Sequence, residues 1–86
     1  MTWSIEWDDR ARRELRALDR QVQRRILRYT GERLVSDPRS HGRLLQGSKS
    51  RLWRFRVGHY RLVCSLEDDR LVVLVLRVGH RSRIYR

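Results

Sequence analysis

Residues 2–7 alternate Trp3, Ile5 and Trp7 with Ser4 and Glu6, the period of two that predicts a first strand with one aromatic-rich face. Asp8-Asp9 then supplies an N-cap and two acids for the positive end of a helix. Ala11, Leu15 and Leu18 follow at i, i+4 and i+7, giving a short amphipathic helix. Asp19 caps a second helix whose buried stripe is Val22, Ile26, Leu27, Tyr29 and Leu34, ending before Asp37-Pro38. Residues 39–50 read as a loop, with the Leu44-Leu45 pair docking it onto the core. From Leu52 to Val57 the alternation returns: Trp53, Phe55 and Val57 share one face, and Leu52, Arg54 and Arg56 the other. Gly58-His59 has the form of a type II′ turn, with glycine where φ must be positive, and a partner strand starts at Tyr60. Asp68-Asp69 makes the next turn, and Leu71–Val78 is apolar on both faces, as a central strand should be. The order is β-α-α-β-β-β, an α+β chain, and its 86 residues allow one domain, 1–86.

Pairing Val57 with Tyr60 sets Phe55 against Leu62 on the packed face and Arg56 against Arg61 on the other. Like charges directly opposed destabilise a sheet. Arg54, Arg56 and Arg61 are thus either a solvated face that endures repulsion or a patch that holds an anion, and their convergence favours the anion. Two helices can cover only one sheet face. Val63, Val72, Leu74 and Leu76 should therefore form a partly open apolar strip beside those arginines, a binding surface.

Net charge is +11, with twenty Arg and one Lys against ten acids. Residues 1–38 carry nine Arg against seven acids, +2, and residues 39–86 eleven Arg and one Lys against three acids, +9. The strand-rich half is the basic one, a field suited to a polyanion. Arginines on the two helices read as solvated faces. Cys64, the single cysteine, falls on the packed side of a strand and reads as a small core residue in a reducing compartment. No signal peptide is evident and no apolar run could span a bilayer, so a cytoplasmic protein without membrane contact is expected. Metal-ligand spacing and Gly-rich phosphate loops are absent from the sequence, and neither metal nor nucleotide cofactor is expected.

The hairpin WRFRVGHYRLV, the apolar strand and the terminal VGHRSRIY together resemble the RelE side of the RelE/ParE superfamily of bacterial toxins. The resemblance implies a small, mainly antiparallel four-stranded sheet with both N-terminal helices on one face. It also implies an mRNA endoribonuclease that works in the ribosome and is restrained by a RelB-like antitoxin. Attack of a ribose 2′-OH on the adjacent phosphodiester would leave a 2′,3′-cyclic phosphate and a 5′-OH. The family's functional positions fall on Arg54, Arg56, Arg61, Arg81 and Tyr85, with Arg83 a further RNA contact. Arg61 suits the phosphorane, Arg81 the same phosphate or the leaving oxygen, and Tyr85 a base or an orienting hydroxyl. The positions of Arg54 and Arg56 are often lysines in the family, and an arginine is a poor general base. His80 is then a candidate for proton transfer, with a hydrogen-bonded structural histidine as the alternative. A ParE-like inhibitor of DNA gyrase and a non-catalytic nucleic-acid-binding module are the competing functions.

Overall fold

The computed structural model describes residues 2–47 and 51–84. The elements are β1 (Ser4–Trp7), α1 (Asp9–Arg16), α2 (Arg20–Tyr29), β2 (Gly42–Leu44), β3 (Trp53–Val57), β4 (Tyr60–Glu67) and β5 (Val72–His80). They make a five-stranded sheet in the order β1-β5-β4-β3-β2, antiparallel except where β1 runs parallel to β5. The four-stranded expectation is therefore one strand short. The missing strand is β2, inside the stretch read as loop; three residues are too few for alternation to be visible, and β2 exists because β3 offers it an edge. The hairpin is as expected, with Val57 opposite Tyr60, Phe55 opposite Leu62 and Arg56 opposite Arg61. Gly58 has φ 61 while His59 does not enter the left-handed region, as a II′ turn requires.

Both helix starts use the anticipated caps: Asp8 accepts from the Arg10 N–H and Asp19 from the Gln21 N–H. Ala11, Leu15, Ile26 and Leu34 are buried against Phe55, Val57, Leu62, Cys64, Val73, Val75 and Val78. Burial pushes the Cys64 thiol pKa up, so it is inert as a nucleophile at neutral pH. Leu27, assigned to the buried stripe, is instead 48% exposed, because it lies one residue, about 100°, around the helix from Ile26, on a flank outside the core. After Tyr29 the helix widens into a π-helical turn, Thr30–Leu34, which delivers Thr30 and Leu34 to the interior.

The apolar strip also needs correcting. Val63 and Val72 are buried, at 6% and 5% exposure, and Leu74 and Leu76 are half-buried. The register explains it: Val63 stands between Arg54 and Arg77, and Val72 between Ser4 and Glu67, where the aliphatic stems of the two arginines and of the glutamate shield a small neighbour. A bulge at this point adds Leu76 to β5 opposite the Val63–Cys64 step, shifting the alternation so that Val73, Val75 and Val78 all face the core.

Two local features fix the segment between α2 and β3 against the sheet. Arg39, on the short helical turn Pro38–Ser40, forks onto Asp68 at 2.7 and 2.8 Å while its guanidinium lies 5.5 Å from the Trp53 ring and 6.0 Å from the Trp3 ring. The hydrogen bond from Arg39 holds the Asp68 carboxyl below its ordinary value of 3.8. A carboxyl depressed in the folded state contributes stability above its unfolded pKa and loses it as pH falls through the folded value. Asp68→Asn should therefore lower the melting temperature at neutral pH, and the two proteins should converge in acid. Gly42 is the second feature. A Cβ there would sit 2.5 Å from Phe55 Cε1 and 2.8 Å from the Arg54 carbonyl oxygen, so β2 can cross the buried ring only as glycine. Gly42→Ala should cost about 1–3 kcal/mol in chemical denaturation, since neither the ring nor the backbone has room to retreat.

Candidate functional site

The sheet face turned away from the helices carries two cross-strand arginine pairs. Arg43 on β2 stands directly opposite Arg54 on β3, and Arg56 opposite Arg61 on β4. These four, with His41 and Gly42, line an open groove of about 430 Å³. Among the described residues no carboxylate lies within 4 Å of Arg43, Arg54 or Arg56. The Arg61 guanidinium is anchored: Nη1 donates to the Gly58 and Tyr60 carbonyl oxygens at 3.2 and 3.1 Å. That tie to the turn holds the fork where a phosphate could meet it without a rotamer search. Each opposed like-charge pair costs the sheet a few tenths of a kcal/mol to about 1 kcal/mol. A bound anion would remove that cost.

The family-model comparison falls on nearly this whole framework: residues 5–85 match the ParE toxin of the type II toxin-antitoxin system parDE. The chain is a RelE-like toxin of the RelE/ParE superfamily. Toxin RelG of Mycobacterium tuberculosis is 29% identical over 86 residues, all of this chain and 99% of the relative. A chain of the toxin–antitoxin complex RelBE2 from Mycobacterium tuberculosis superposes with TM-score 0.88 at 26% identity, covering 94% of this toxin and 100% of that chain. A mutant of E. coli toxin RelE in the free state gives 0.75 at 29% identity, over 99% and 92%.

Of the residues singled out from the toxin's sequence, the fold brings Arg54, Arg56 and Arg61 into one groove and sends others elsewhere. His80 pairs with Tyr60 and contacts its ring edge-on at 5.5 Å, on the helix side of the sheet. Its Nδ1 accepts from the Ser82 N–H and lies 2.8 Å from Ser82 Oγ. With Leu18, Arg83 and Ile84 it borders a different, largely apolar hollow against α1. Arg81 is exposed beside the hairpin tip, its N–H donating to the His59 carbonyl at 2.8 Å. Tyr85 lies outside the described residues.

Sequence reasoning missed Arg43 and His41. Arg43 enters the site only because β2 pairs with β3, and a three-residue strand has no period to detect. His41 follows the Pro38–Ser40 turn and reaches the groove from that same unrecognised element. The helix arginines, which read from the sequence as solvated faces, also come close: Arg25 lies over the Gly58 turn, where an added Cβ would be 2.8 Å from Arg25 Nη1. No helix among the described residues is long and apolar enough to cross a membrane.

Proposed function

We propose that this type II toxin is a cytoplasmic mRNA endoribonuclease acting in the ribosome, cutting by attack of a ribose 2′-OH on the neighbouring phosphodiester. The observation that carries the reading is the two opposed arginine couples, Arg43–Arg54 and Arg56–Arg61, gathered in one concave groove, which suits a dianionic phosphorane better than any neutral ligand. Arg61 stabilises the equatorial oxygens. Arg54 and Arg56 hold the flanking phosphates, and Arg43 extends the same field across β2. Arg81, Arg83 and Tyr85 complete the RNA contacts from the C-terminal end. Arginines stabilise charge but do not exchange protons at neutral pH. Of the residue types lining the groove only histidine does, so His41 takes the proton-transfer role here, and His80, tied to Ser82 on the helix side of the sheet, a structural one.

The partner is a RelB-like antitoxin, in keeping with the relatives solved as RelBE complexes. An acidic segment laid over Arg54, Arg56 and Arg61 would occupy the substrate's own electrostatic seat. Because the matching family model is named for ParE, inhibition of DNA gyrase is the second reading. Primer extension on translated mRNA after brief induction separates the two. New 5′ ends within codons are expected, and induction that arrests growth while leaving every message intact would overturn the nuclease.

A further inference from the structure

Arg56 also borders a second groove, of about 350 Å³, on the other shoulder of the hairpin. Its far wall is α2 and the π-helical turn, contributing Arg25, Arg28, Tyr29 and Arg33. Among the described residues Glu32 is the only acid lining it, so four guanidinium groups face one carboxylate. Among the described residues none of the four forms an ion pair within 4 Å. The groove floor is the hairpin turn, where Gly58 leaves just enough space for the Arg25 guanidinium above it. Arg33 lies close enough to Tyr29 for its charge to oppose the effect of burial, which raises the phenol's pKa. The π-helical turn that ends α2 is where two of the groove's charged side chains, Glu32 and Arg33, arise.

We propose that this second groove is a backbone-phosphate subsite for the same RNA strand, continuous with the first groove through Arg56. It deepens the ribonuclease reading and rests on it. A strand lying on the sheet face would cross the hairpin shoulder at Arg56 and continue onto α2, so the protein grips phosphates beyond the dinucleotide it cuts. Unneutralised arginines in a groove bind the phosphate chain without reading bases, which makes the subsite tolerant of sequence and sensitive to salt.

The test is binding of uncleavable 2′-O-methyl oligonucleotides, a short one of about three residues and a long one of about ten, across a salt series. Wild-type toxin should bind the long oligonucleotide more tightly and with a steeper salt slope. Arg25→Ala/Arg28→Ala should narrow that gap and shallow the long-oligonucleotide slope by about 1.4, two single-strand phosphate contacts at about 0.7 each. Arg28→Ala alone leaves the Arg25–Gly58 packing in place and should move the slope in the same direction by about half as much. Equal affinity of the wild-type toxin for both lengths would overturn the subsite and leave the first groove standing. Failure to bind either oligonucleotide would overturn both. Loss of antitoxin affinity in the double variant, with the length dependence of RNA binding intact, would assign the groove to the protein partner and overturn the proposal.

Discussion

Arg61→Ala is expected to abolish growth arrest while leaving the toxin as stable as before or slightly more so. Removing one preorganised donor from a developing oxyanion costs about 3–4 kcal/mol, or 10²–10³ in rate. On the stability side, the substitution deletes one member of the opposed Arg56–Arg61 pair, and relief of that repulsion is worth a few tenths of a kcal/mol. Of the carbonyl oxygens that Arg61 now serves, that of Gly58 belongs to the exposed hairpin turn, where water can replace the guanidinium, and that of Tyr60 to the half-buried first residue of β4. A solvated-face arginine and a substrate-binding arginine differ here: only the latter couples a large loss of activity to unchanged or improved stability. Arg61→Lys keeps the charge but not the fork, and it should recover a minor part of the activity. Thermal melts alongside single-turnover cleavage on programmed ribosomes would check both halves, and full toxicity from folded Arg61→Ala would remove Arg61 from the site.

The part of this site legible in the sequence was the part built by local pairing. A two-residue turn fixes register by itself, so WRFRVGHYRLV was enough to place Phe55 against Leu62 and Arg56 against Arg61 before any tertiary contact was known. What stayed hidden depended on long-range packing. Arg43 joins the groove through pairing with Arg54, eleven positions away, and nothing in Gly42–Leu44 announces a strand except the glycine that lets it lie over Phe55. The α-helical stripes are legible except at Leu27, which lies on an exposed flank. Beyond Tyr29 the π turn changes the period, and this is also where Arg33 is carried into the second groove. His80 was grouped with the arginines by proximity in the tail motif, whereas the bulge at Leu76 resets the alternation so that Val78 and His80 share the helix side. The expected exposure of Val63 and Val72 failed because strand patterning says which face a side chain takes but not which neighbours' stems lie across it.

Glu14→Ala should be the most damaging single substitution to stability outside the apolar core. β1 covers β5 only as far as Val75, so the rest of β5 has a bare edge. Glu14 closes it from α1: Oε1 accepts the Val78 N–H at 3.1 Å, and both oxygens accept from Arg77 Nε at 3.1 and 3.0 Å, with Arg77 Nη2 at 3.0 Å. The Glu14 and Arg77 side chains are 24% and 23% exposed, enough desolvation that losing the carboxylate leaves an N–H and a guanidinium poorly compensated. The cost should be about 2–4 kcal/mol, and for a domain of this size each kcal/mol lowers the melting temperature by about 4–8 °C. Glu14→Gln keeps an acceptor for Val78 but not the charge for Arg77, so it should fall between wild type and alanine. In a double-mutant cycle with Arg77→Ala the coupling should exceed about 1 kcal/mol, and amide exchange at Val78 should accelerate selectively. Since Gly79 lies opposite Arg61 in the same strand pair, loosening this edge should reduce toxicity at growth temperature and spare it in the cold. A Glu14→Ala protein melting within a degree or two of wild type would show that α1, and not its carboxylate, seals the edge.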